Sequence, residues 1–105
     1  MSSEKLVRVA HLVIKAEHLA RYRAALREEI ETSLERELGV LTLYAVSSKT
    51  EPTRFTILEV YASQEAYAEH LNTPHFLKYK STSQNMVASL ELVESSPLIP
   101  ELKAR

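Results

Sequence analysis

A chain of 105 residues with 13 basic and 14 acidic side chains has room for one domain with a thin core. Its net charge of −1 provides no field to gather nucleic acid or an anionic membrane surface. Cysteine is absent, which excludes disulfides, thiolate metal sites, iron–sulfur clusters and a cysteine nucleophile, and leaves histidine, carboxylate and tyrosine to do any chemistry.

Leu6 to Ile14, LVRVAHLVI, suits a strand with Val7, Val9, His11 and Val13 on one face. His11 is a candidate substrate contact, the alternative being a histidine satisfied by neighbouring backbone. The same segment interleaves Arg8, His11 and Lys15 with its apolar residues, unlike the core of an export signal, and no apolar run approaches a membrane span. A cytoplasmic location is expected.

Ala16 to Leu38 carries the longest helical pattern, with Leu19, Tyr22, Leu26, Ile30, Leu34 and Leu38 at steps of three and four. Glu28, Glu29, Glu31, Glu35 and Glu37 alternate with Arg23, Arg27 and Arg36 and read as a solvated face with weak helical ion pairs. Gly39, the only glycine, follows the last leucine, where a left-handed helix terminus is expected. Val40 to Ser47 is a second strand, and the polar run Ser47 to Thr53 leads into a third, Phe55 to Tyr61. Its β-branched and aromatic residues predict little exposure on either face, and the carboxylate of Glu59 within it requires a wet edge or a polar site.

Ser63 is a good N-cap for a short helix that Asn72, Thr73 and Pro74 interrupt; Thr73 caps the next helix and Pro74 occupies its first position. His70 and His75 flank this break. The stripe Phe76, Tyr79, Ser83, Met86 and Val87 then runs into a fourth strand over Ser89 to Glu94. Residues 95–105, with Pro97, Pro100 and the apolar Leu98, Ile99 and Leu102, form an arm expected to be buried on a partner subunit.

The order strand, long helix, strand, strand, broken helix, strand predicts a single α+β domain over residues 1–105 of the ferredoxin-like, split βαβ kind, with both helices on one face of a four-stranded antiparallel sheet. Nothing remains to cover the other sheet face, so a homodimer with sheets packed across a two-fold axis is expected.

For chemistry, the region offers His70 and His75, Glu59 and the tyrosines Tyr44, Tyr61, Tyr67 and Tyr79. Histidine titrates where a general base must, and tyrosine hydroxyls can hold substrate oxygens. One reading makes His70 and His75 base and orienting donor, Glu59 the group that fixes an imidazole tautomer, and Tyr44 or Tyr61 a substrate contact. In the other, both histidines bridge the helix break and Glu59 pairs with a basic group. Five residues across a proline break is not the three- or four-residue spacing of helical metal ligands, so no metal is expected. A single glycine cannot build a phosphate-cradling loop, which excludes nucleotide cofactors bound that way.

The segment LEVYASQEAYAEHLNTPHF, Leu58 to Phe76, resembles the antibiotic biosynthesis monooxygenase domains. That family shows a glutamate and an aromatic at the end of the third strand, a helix ending in histidine, then threonine–proline–histidine–aromatic; here these are Glu59, Tyr61, His70, Thr73, Pro74, His75 and Phe76. GVLTLYAVSS resembles its second strand. The resemblance implies a dimeric α+β barrel that oxygenates a quinol or polyphenolic small molecule without a cofactor, with Thr73 and Phe76 among the substrate contacts. A haem-degrading branch uses an asparagine, a tryptophan and an axial histidine where this chain has His11, His70 and Lys80, and the chain has no tryptophan. Another branch, resembling the enzyme that processes a phosphorylated autoinducer-2 signal, implies an isomerase; a non-catalytic ligand-binding module is the third alternative.

Overall fold

The computed structural model describes residues 4–102. Strand β1 (Leu6–Ile14) leads through a 3-10 turn at Ala16–His18 into α1 (Leu19–Arg36), followed by β2 (Val40–Ser47), β3 (Arg54–Tyr61), α2 (Gln64–His70), α3 (Pro74–Ser83) and β4 (Val87–Ser95). The four strands form one antiparallel sheet in the order β2-β3-β1-β4. This is the ferredoxin-like α+β fold expected from the order of elements. No helix among the described residues is long and apolar enough to cross a membrane.

Strand alternation decides what the helices cover. Ala10, Leu12 and Ile14 of β1 and Phe55 and Ile57 of β3 pack with Tyr22 and Leu26 of α1 and with Met86 into the main core. Val40, Leu43 and Tyr61 form a smaller cluster towards α2. The opposite sheet face carries Tyr44, Val46, Leu58 and Val93, all at least 39% exposed. The low exposure expected on both faces of the third strand therefore holds for its helix-facing residues only: Leu58 is 40% exposed because nothing within one chain packs on that side. The arm after β4 is also exposed at Leu98 and Leu102, and residues 103–105 lie outside the described residues.

Two expectations about the end of the long helix need correction. The helix stops at Arg36, and Glu37 is already extended (φ −117°, ψ 104°), so Leu38 leaves the helical stripe and is 98% exposed. The buried stripe is instead Tyr22, Leu26, Glu29 and Ser33. Gly39 has no positive φ, so the left-handed terminus is not its reason. A Cβ built on Gly39 would lie 2.6 Å from Cβ of Ala66, where α2 crosses the chain. Glycine is needed there for close approach of α2.

Gly39→Ala is accordingly expected to destabilise the fold by about 1–3 kcal/mol, as overpacking does. The cost should not add to that of Ala66→Gly, because removing the opposing methyl relieves the clash. Chemical denaturation of both single variants and the double variant measures the coupling. Strictly additive costs would rule out the steric account.

Candidate active site

Between the helices and the sheet lies a cavity of about 1040 Å³, lined by Arg8, Leu12 and Leu26, by Glu29, Glu59 and Tyr61, and by His70, Phe76 and Tyr79 among others. It opens between α3 and β4, where Leu77, Leu90 and Leu92 line the cavity and remain half exposed.

The helix break builds the wall of this cavity. Ser63 caps α2 by accepting from the Ala66 amide, and α2 ends on His70. Thr73 Oγ1 donates to the His70 carbonyl at 2.8 Å and accepts from the Phe76 amide at 3.2 Å, so one hydroxyl ties the end of α2 to the start of α3. His70 is only 2% exposed and packs against the rings of Tyr61 and Phe76, with centroids 5.3 and 4.9 Å away.

Glu37 joins the two histidines. Its Oε2 accepts from His70 Nδ1 at 3.0 Å and from His75 Nε2 at 2.5 Å. The free nitrogen of His70, Nε2, lies 3.6 Å from Glu29 Oε1, which in turn accepts from Ser33 Oγ at 2.6 Å. With Nδ1 held by a carboxylate, a neutral His70 keeps its proton there and presents a lone pair at Nε2. On the strand side, Tyr61 donates to Glu59 at 2.9 Å. Arg8, opposite Glu59 in the β1–β3 register, stacks over Tyr67 and bonds to its hydroxyl and to Glu94.

The carboxyls separate into two kinds. Burial alone would raise the pKa of Glu37, but the hydrogen bonds from His75 and His70 outweigh it and hold the carboxyl below its ordinary value. Burial pushes Glu29 up more than the Ser33 hydrogen bond and the nearby histidines pull it down. Burial likewise raises Glu59 against the pull of Tyr61 and Arg8. Burial also pushes up the phenols of Tyr22, Tyr61 and Tyr79. Such a split, one ionised carboxylate behind an imidazole and two acids biased towards their neutral form, is what assigns acid and base roles in a pocket.

Of the residues singled out from sequence, Glu59, Tyr61, Tyr67, His70, Phe76 and Tyr79 line the cavity. His75 reaches the cluster through Glu37 but borders a small outer pocket, not the main cavity. Thr73 is a cap and does not line the cavity. His11 and Tyr44 lie on the far side of the sheet, exposed, with His11 against the Thr56 hydroxyl at 3.3 Å. Glu59 bonds Tyr61 and neither imidazole, because residues two apart on a strand share a face; the orienting carboxylate is Glu37. The sequence pattern alone groups Glu29 and Glu37 with a solvated face. For Glu29 the signal was available, since it and Ser33 continue the phase of Tyr22 and Leu26. Among the described residues, Glu29, His70 and His75 could also converge on a metal ion, with one donor atom from each lying within 4.8 Å of the others.

The sequence profile of the antibiotic biosynthesis monooxygenases matches residues 6–82. The chain belongs to this family. A solved Bacteroides thetaiotaomicron structure provisionally named an antibiotic biosynthesis monooxygenase is 49% identical, with a TM-score of 0.95 and 97% of each chain covered. One from Nitrosomonas europaea, named in the same way, is 26% identical with a TM-score of 0.85, covering 95% of this chain and 96% of that one. Among proteins of curated function, none matches the sequence.

The carboxyl shifts set opposite pH dependences. The depressed pKa of Glu37 gives stability that is present above the ordinary carboxylate range and is lost as pH falls through the folded-state value. The raised pKa values of Glu29 and Glu59 act the other way: their contribution is greatest in acid and is lost as pH rises through the folded-state values. Glu37→Gln should therefore cost more stability near neutrality than in acid, while Glu59→Gln should gain on the parent as pH rises. Thermal midpoints across the acid-to-neutral range measure both, and pH slopes of the same sign in the two variants would contradict these assignments.

Proposed function

We propose that this member of the antibiotic biosynthesis monooxygenase family is a homodimeric oxygenase of a quinol or polyphenolic small molecule, with His70 as general base. The observation that carries this reading is His70, which lines a largely apolar cavity while its Nδ1 is held by Glu37. A cavity of about 1040 Å³ is at the upper end of the range that takes drug-sized ligands, and its floor of Leu12, Leu26, Ile57 and Phe76 suits fused aromatic rings.

In the proposed reaction His70 takes the phenol proton and Glu37 stabilises the imidazolium that results, as a buried carboxylate does behind a catalytic histidine. The phenolate passes one electron to O₂, and the radical pair combines to form a carbon–oxygen bond. Loss of water leaves the product, so that quinol plus O₂ gives hydroxyquinone plus water with no external reductant. Glu29 and Glu59, whose pKa values burial raises, would donate to the substrate oxygens when protonated. The half-exposed apolar face of the sheet and the exposed arm support the dimer, since a patch of this size on one small chain is better buried.

Reduced naphthoquinols incubated with the protein should consume oxygen faster than the spontaneous background. General-base assistance is worth about a hundredfold to ten-thousandfold, so His70→Gln should slow turnover by that order with bound quinol retained. Tight binding without acceleration would identify a binding module, and exchange of a substrate proton with solvent without oxygen uptake would identify an isomerase. Sedimentation should show twice the 11.9 kDa chain mass, and a monomer at micromolar concentration would overturn the dimer.

A further inference from the structure

We propose that Glu29, His70 and His75 form a site for one divalent transition-metal ion of the zinc class, with Glu37 holding the two imidazoles from behind. The inference stands on geometry and charge and is independent of whether the chain oxygenates a quinol.

The ligand set comes from three helices: Glu29 from α1, His70 from the last turn of α2 and His75 from the first turn of α3. The five-residue spacing of the histidines is no obstacle, because they do not share a helix and the break turns them towards one another, with ring centroids 6.3 Å apart. One donor atom from each of the three residues lies within 4.8 Å of the other two. The donors of a tetrahedral zinc shell are roughly 3.4 Å apart, given zinc–nitrogen and zinc–oxygen bonds of about 2.0–2.1 Å. The difference, at most about 1.4 Å, is within reach of small side-chain rotations. Two histidines and one glutamate are a ligand set that binds zinc and leaves a fourth position for water or a further oxygen.

Two further features point to a cation. Metal-bound histidines ordinarily donate their second ring N–H to a carboxylate, which fixes ring and tautomer. Glu37 already does this for both rings, through His70 Nδ1 and His75 Nε2, and His70 Nε2 and His75 Nδ1 make no hydrogen bond among the described residues. The second feature is the charge inventory. The side chains of Glu29 and Glu37 are 7% and 13% exposed, yet among the described residues no lysine or arginine pairs with either; the neighbouring Lys78 is committed to Glu28. Buried carboxylates need compensation, and among the described residues the partners here are the Ser33 hydroxyl and imidazoles, which carry charge only when protonated. A divalent ion between neutral imidazoles would supply positive charge beside Glu37 and favour the ionised form of Glu29.

Glu29 and His70 line the large cavity, and a second approach lies outside it. Glu29 and His75 both border the small pocket of about 70 Å³ between α1 and α3, with Glu28, Lys78 and Thr82 around them. An ion entering there would clip α1 to the helix break. Where His70 serves as a base, the ion would also occupy the lone pair that the phenol proton needs, so ion and proton compete.

Tag-free, chelator-treated protein should be titrated with zinc chloride in competition with a chromophoric chelator. One equivalent per chain should bind, and the thermal midpoint should rise with it. Glu29→Gln and His75→Ala should each weaken binding at least tenfold, Glu37→Gln should weaken it by about ten- to a hundredfold as loss of a supporting carboxylate does, and His11→Ala on the far sheet face should leave it unchanged. Cobalt(II) substitution keeps the test decisive should Glu29→Gln fold poorly: a visible spectrum of nitrogen- and oxygen-ligated cobalt should appear with the parent protein and be lost or shifted with His75→Ala. No uptake from a micromolar excess of zinc would overturn the site, as would uptake that Glu29→Gln and His75→Ala both leave unaltered.

Discussion

One carboxylate holds the functional half of this molecule in place. Glu37 accepts from both His70 and His75, and this pair of charge-assisted hydrogen bonds links the end of α1 to the start and finish of the helix break. Much of the local architecture can be understood as meeting its requirements. The helix must end at Arg36 so that Glu37, in extended backbone, can turn its side chain towards α2 and α3. Two residues on, Gly39 must lack a side chain so that α2 can approach closely enough to place His70 within reach. Thr73 then fixes the angle between α2 and α3 by bonding to both. Loss of any of these would leave charged or polar groups buried without partners, which costs more than the hydrogen bonds contribute when intact.

The cavity follows from how unevenly two helices cover four strands. The long helix and α3 pack over β1 and β3, whereas β4 at the edge has exposed residues on both faces. The space left between α3 and β4 is the mouth, and the residues beneath it include the polar cluster around His70. Both large features of the chain therefore arise from incomplete coverage: an opening on the helix side and an exposed apolar sheet face on the other. A domain of this size has too few residues to close both.

Glu29, Glu37 and Glu59 show how environment divides chemically similar groups. Glu37 receives two imidazole N–H donors and stays ionised, while Glu29 and Glu59 receive one hydroxyl each, which does not offset the cost of burying their charge. The same cluster thus holds one carboxyl shifted down and two shifted up from the ordinary carboxylate value.

Local sequence determined the elements themselves. Alternation defined β1, a run of β-branched and aromatic residues defined β3, the serine and threonine caps with Pro74 placed α2 and α3, and the motif from Glu59 to Phe76 carried the family and brought His70, Tyr61 and Phe76 into view, because these signals depend on residues near one another in the chain. Tertiary structure decided the rest. Glu37 and His70 are 33 residues apart and touch only because α1 folds back over the sheet beside α2, so nothing local distinguishes Glu37 from the solvated glutamates around it. His11 and Tyr44 lie on the sheet face away from the helices, since alternation says which residues share a side of a strand but not which side the helices will cover. Gly39 was recognisable as a constrained position, but its constraint is the methyl group of Ala66, 27 residues away, and contact across that distance exists only in the folded chain.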